Sequence, residues 1–162
     1  MTRFAAFAAT LTLLATGPVL AGGHDGVKAE VDLLPGWRTE TGAHIAALRI
    51  RLAPGWKTYW RAPGEAGLPP VFNWSASENL GTITPHWPVP DVFDTSGMTT
   101  LGYDSGLILP LEVKPVDATA DIRLEGTLTM GICEDICMPM QAEVSAILMG
   151  ADTDADPMIA LA

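Results

Sequence analysis

The chain reads as an all-β protein, a two-sheet sandwich of short antiparallel strands, on three observations. Thirteen prolines and sixteen glycines break its 162 residues into short runs. Within these runs apolar and polar residues alternate with a period of two, which places successive side chains on opposite faces of a strand. Beyond the N-terminal apolar stretch, apolar positions never recur at three-to-four spacing long enough for a substantial helix.

The N-terminus has the form of an export signal. Arg3 supplies a positive charge, Phe4 to Ala15 is apolar, and Val19-Leu20-Ala21 offers small residues to a signal peptidase. The expectation is a secretory signal peptide over residues 1–21, cleaved near Ala21 and giving a periplasmic location. A membrane anchor is disfavoured because the apolar run is shorter than the roughly 20 residues of a span, and no later segment could span either. Residues 22–150 then form one β domain, and residues 151–162, with Asp152, Asp154 and Asp156, read as an acidic flexible tail.

The expected strands follow in order: Val27–Leu33, His44–Leu52, a short piece near Lys57–Trp60, Val71–Trp74, Thr82–Trp87, Leu107–Val113, Asp121–Ile132 and Glu143–Met149. Three rows of apolar residues mark core faces: Leu107, Leu109, Leu111 and Val113; Ile122, Leu124, Leu128, Met130 and Ile132; and Ala142, Val144, Ala146 and Leu148. The second row places Cys133 on the outward, polar face at its strand's end, unless a bulge at Gly126 reverses the parity. Two long connections, Pro54–Pro70 with its aromatic residues and Pro88–Tyr103, read as structured loops, and either could cover the cysteines.

Cys133 and Cys137 are the only cysteines, with Glu134, Asp135 and Ile136 between them. A disulfide closing so short a loop stabilises by only about 2 kcal/mol in the chain-entropy model, so the pair points to redox or metal chemistry more than to a staple. The acidic neighbours Glu134 and Asp135 disfavour thiolate, which makes a strongly oxidising thiol improbable and docking of a partner important. One strand and a tail follow Cys137, whereas a thioredoxin-type pair opens a helix with most of its domain after it. The main rival is a Cu(I) site combining the two thiolates with the thioethers of Met138 and Met140, Met130 belonging to the inward row. A non-catalytic sandwich with a permanent disulfide is the third reading. His24, His44 and His86 show no zinc-motif spacing, and no nucleophile elbow occurs.

The formal net charge is −10, with nine Lys and Arg against nineteen Asp and Glu. Without a basic stripe to displace phosphate counterions, nucleic acid is not an expected partner.

The order of Gly55-Trp56-Lys57-Thr58-Tyr59-Trp60-Arg61, Pro63-Gly64, Trp87-Pro88, Gly102-Tyr103, Leu109-Pro110-Leu111 and the cysteine pair before Pro139 resembles the N-terminal periplasmic domain of the DsbD and ScsB-like thiol:disulfide interchange proteins. The resemblance spans about Val27 to Met149. It implies an immunoglobulin-like sandwich of about seven to nine strands and no cofactor. It also implies a thiol–disulfide oxidoreductase component that takes electrons from a membrane thiol transporter, through its thioredoxin-like domain or protein, and passes them to oxidised periplasmic thioredoxin-like proteins. On this resemblance Cys133 and Cys137 are the catalytic pair, Cys137 forming the mixed disulfide and Cys133 resolving it. A cap loop around Asp91-Val92-Phe93 shields them, with Phe93 the shield and Tyr59 lining the same site. The family pattern places five residues between its cysteines, where this chain has three.

Overall fold

The computed structural model describes residues 27–95, 97–149, 157–160 and 162. The expected signal peptide and its cleavage point, and residues 150–156 and 161, lie outside the described residues. In chain order the strands are β1 (Ala29–Arg38), β2 (His44–Leu52), β3 (Lys57–Gly64), β4 (Val71–Asn73), β5 (Leu80–Pro85), β6 (Asp91–Thr95), β7 (Met98–Tyr103), β8 (Leu107–Pro115), β9 (Ile122–Cys133) and β10 (Cys137–Leu148), followed by one helical turn, α1 (Pro157–Ala160). One sheet has the order β1-β2-β8-β5, and the other has the order β10-β9-β3-β7-β6, with β4 also pairing to β9. Every strand pairing is antiparallel.

The apolar rows become the core between the sheets. Leu48, Leu109, Leu111 and Val113 of the first sheet meet Leu124, Leu128, Met130 and Ile132 of the second, all nearly or fully buried. Val144 and Leu148 of the third row are buried, and Ala146 packs at the margin of this core. Phe72, Trp74 and Trp87 close one side, Phe72 stacking on Trp74 with ring centroids 5.9 Å apart. Gly126 is flat against Trp74, where a Cβ would come within 2.3 Å of the indole, and it makes no bulge. The register of β9 on β10 runs unbroken from Ile122 opposite Leu148 to Cys133 opposite Cys137.

Two differences from the sequence reading bear on the site. The connection Pro88–Tyr103 contains the β6–β7 hairpin, whose end residue Tyr103 is buried. Cys133 keeps the predicted parity, on the face opposite Ile132, but that face is not polar and exposed at this point. Cys133 is only 1% exposed because Tyr59 and Leu68 lie over the end of β9. At the other end of the chain, Ile159 of α1 is buried and the turn packs against β8.

Candidate functional site

Cys133 ends β9 and Cys137 begins β10, directly opposite one another in the hairpin. Their Cα atoms are 4.2 Å apart, and a disulfide joins them. The three residues of the turn are all exposed, as is Cys137, while Cys133 is buried. The two sulfurs therefore differ in access, although they share one bond.

Burial of Cys133 is the work of β3. Lys57 pairs with Cys133 and Thr58 with Ile132, so the alternation of the strand sends Thr58 into the core and Lys57 and Tyr59 to the cysteine face. Thr58 anchors this register, its hydroxyl donating to the Gly131 carbonyl at 2.9 Å. The Tyr59 ring fits between two glycines. A Cβ on Gly131 would lie 3.0 Å from the ring and 2.6 Å from Leu68 Cβ, and a Cβ on Gly67 would lie 2.8 Å from the ring's other side. The segment after β3 thus folds back over β9 and holds the tyrosine down.

The Tyr59 hydroxyl is 2.9 Å from Cys133 Sγ and 3.1 Å from Cys137 Sγ. Disulfide sulfurs carry no hydrogen, so the hydroxyl is the donor to both. Burial pushes the Tyr59 phenol above its usual range, which keeps that proton in place at neutral pH. When the bond opens, the same donor is in reach of either sulfur as a thiolate, and hydrogen bonds to charged groups are the stronger kind. Tyr59→Phe keeps the ring and removes the donor. Reduction of the pair by dithiothreitol near neutral pH, followed by stopped flow, is expected to slow by about 3- to 10-fold.

The β6–β7 hairpin stands beside this cover. Gly102 of β7 pairs with Tyr59 on one side and with Asp91 on the other. Its missing side chain permits the approach, since a Cβ there would be 2.1 Å from the Thr58 carbonyl oxygen. The Tyr103 hydroxyl donates to the Pro88 carbonyl at 2.9 Å, tying the chain that leads into β6 onto β7. Burial, assisted by the Asp91 charge, pushes the Tyr103 phenol up to about 12. On β6, Asp91 is exposed and Phe93 is half-buried, its ring 5.2 Å from Lys57 Nζ, a cation–π contact.

The structure brings Cys133, Cys137 and Tyr59 into contact, and joins Phe93 to the group through Lys57. It does not bring Met138 and Met140 to the sulfurs. Opposite Ile132 and Met130 in the register, both methionines pack on the core side of β10. His44 is buried against the Pro35 carbonyl at 2.6 Å, with burial lowering its pKa, and His86 lies 3.4 Å from Glu112. Among the described residues no group of three or more His, Cys, Asp and Glu could hold a metal ion. A surface hollow of about 560 Å³, lined by Asn73, Glu125, Thr127 and Glu143 among others, excludes both cysteines. Sequence reasoning used Lys57 and Gly102 for the resemblance but expected no site role of them or of Leu68. For Lys57 the available signal was its period-two relation to Tyr59.

The family model of the thiol:disulfide interchange protein DsbD, N-terminal, matches residues 30–148. The chain is also similar to the crystal structure of the N-terminal periplasmic domain of ScsB from Proteus mirabilis, at 37% sequence identity and a TM-score of 0.57. That match covers 74% of this chain and 44% of the ScsB chain, so the chain spans less than half of its solved relative. No curated protein sequence matches significantly. The two antiparallel sheets are those of the immunoglobulin-like sandwich of the DsbD N-domain. With the family match running from β1 to the end of β10, the chain belongs to the DsbD N-terminal domain family.

Proposed function

We propose that this protein is a periplasmic thiol–disulfide carrier that relays electrons through the Cys133–Cys137 pair. The donor is a membrane thiol transporter acting through a thioredoxin-like domain, and the acceptors are oxidised thioredoxin-like proteins. The observation that carries the reading is the asymmetry of the pair: Cys137 is exposed at the start of β10, and Cys133 is buried under a hydroxyl that can donate a hydrogen bond to its thiolate.

Reduction begins when a partner thiolate attacks Cys137 Sγ. The Cys133–Cys137 bond breaks, Cys133 leaves as a thiolate facing the Tyr59 hydroxyl, and a mixed disulfide joins Cys137 to the partner. The partner's second thiolate then attacks its own linked sulfur and releases Cys137, so two electrons and two protons have passed to the pair. Delivery runs the same steps backwards, with Cys137 attacking the acceptor disulfide and Cys133 resolving the mixed disulfide. Leu68, 42% exposed beside Gly131, and Ile136, 75% exposed next to Cys137, form an apolar rim on which a partner could seat. The β6–β7 hairpin is the cap, and Phe93 shields the pair when no partner is docked.

Cys133→Ser leaves Cys137 without its resolving partner. Mixed with an oxidised thioredoxin-like protein, the reduced variant is expected to accumulate a mixed disulfide that mass spectrometry places on Cys137. Accumulation instead in Cys137→Ser would reverse the roles.

A further inference from the structure

We propose that Lys57 is a redox-coupled clasp, holding the β6–β7 hairpin through Phe93 while the pair is oxidised and turning to the cysteine thiolate when it is reduced. The inference rests on the carrier reading above, and adds a positioning residue and a conformational consequence to it.

Three observations place the lysine between the two roles. Lys57 is the cross-strand partner of Cys133, so its side chain starts beside the buried sulfur on the same face of the sheet. Its ammonium lies over the Phe93 ring, 5.2 Å from the centroid, which links β3 to β6 directly. Among the described residues no carboxylate lies within ion-pairing distance of it, so none of them competes with the ring while the disulfide is neutral.

Reduction by a protein dithiol changes that balance. It adds two electrons to the pair and leaves one sulfur able to carry a full negative charge beside the root of the Lys57 side chain. Attraction to a full charge exceeds attraction to a ring quadrupole at similar range, so the ammonium is drawn off Phe93. The other titratable groups on the elements concerned are the Tyr59 hydroxyl on β3, Glu134 and Asp135 in the β9–β10 turn, and Asp91 and Asp94 on β6, the strand that carries Phe93. Lys28 is held over Trp56 and near Met138. The Glu134 carboxylate rests against Gly55 at the β2–β3 turn. With Lys28 so held, Lys57, the cross-strand partner of Cys133, is placed to offset those acids at the sulfurs.

Hydrogen exchange of residues 91–95 and the pH profile of Cys137 alkylation by iodoacetamide test the proposal, each on the whole protein. In the wild type, reduction with dithiothreitol at a pH where thiolate forms should speed exchange of β6 several-fold. Lys57→Met should show the faster exchange in both redox states, and its alkylation profile should move up by at least about half a pH unit. Lys57→Arg should restore both wild-type behaviours. An unmoved alkylation profile in Lys57→Met, or a β6 exchange rate that still depends on redox state in that variant, overturns the clasp. Because chemical reduction needs no protein partner, these readings stand apart from the carrier reading, which fails separately if the wild-type pair exchanges no electrons with a thioredoxin-like dithiol.

Discussion

Cys137→Ser should abolish electron exchange with a thioredoxin-like protein, reducing it by at least about 10³-fold, while Cys133→Ser should still complete one half-reaction. The difference follows from access. Attack on a disulfide requires an approach along the bond to the sulfur that becomes linked. Cys133 is buried under Tyr59, with Leu68 against neighbouring Gly131, whereas Cys137 is exposed beside exposed Ile136. Without Cys137 the remaining thiol is buried, and neither donor nor acceptor reaches it. Without Cys133 the exposed thiol still attacks, and the reaction stops at the mixed disulfide. The folded state should survive both substitutions, since a loop of this length contributes only about 2 kcal/mol. Circular dichroism of the two variants checks that the loss is chemical.

Gly102→Ala should weaken both the fold and the cover over the disulfide. Its Cβ would stand 2.1 Å from the Thr58 carbonyl oxygen and 3.2 Å from Tyr59 Cα, both backbone atoms, so no side-chain rotation relieves the overlap. The strand β7 must move away from β3, and both the Tyr59 pairing and the Asp91 pairing pass through that one residue. The expected cost is about 2–3 kcal/mol, in the range of overpacked interiors, with a melting temperature lower by about 5–10 °C. The displacement carries the hairpin with it and loosens Tyr59, so reduction by dithiothreitol should also accelerate. Thermal unfolding and stopped-flow reduction of one preparation measure both consequences.

Much of the sandwich was legible in the chain because its core strands obey a strict alternation. Leu107, Leu109, Leu111 and Val113 could occupy only one face, and they are buried there. The β6–β7 hairpin was not legible in that way. Asp91-Val92-Phe93-Asp94 is short and carries an acid at each end, and β6 pairs only with β7 at the margin of its sheet, so no alternating core row announces it.

The face of Cys133 shows a different limit. Alternation along β9 correctly set it opposite Ile132, but the pattern of one strand says nothing about what another segment lays across its outer face. Tyr59, seated between Gly67 and Gly131, comes from β3, far away in sequence, and converts an outward position into a buried one. The same non-local pairing puts Lys57 beside Cys133, a neighbour that no local pattern names. The placement of Met138 and Met140 follows a local rule: they share the parity of the core row, so they face away from the disulfide.

The central claim is that the pair is an exchange-competent couple and not a permanent cross-link. The most direct measurement is the equilibrium of the wild-type protein with a reduced thioredoxin-like protein of known potential, read by alkylating free thiols and weighing the products. The account predicts that Cys133 and Cys137 pass together and reversibly between disulfide and dithiol as the ratio of reduced to oxidised partner is varied. A pair that stays oxidised across the whole range, with no mixed disulfide in transit, would contradict it.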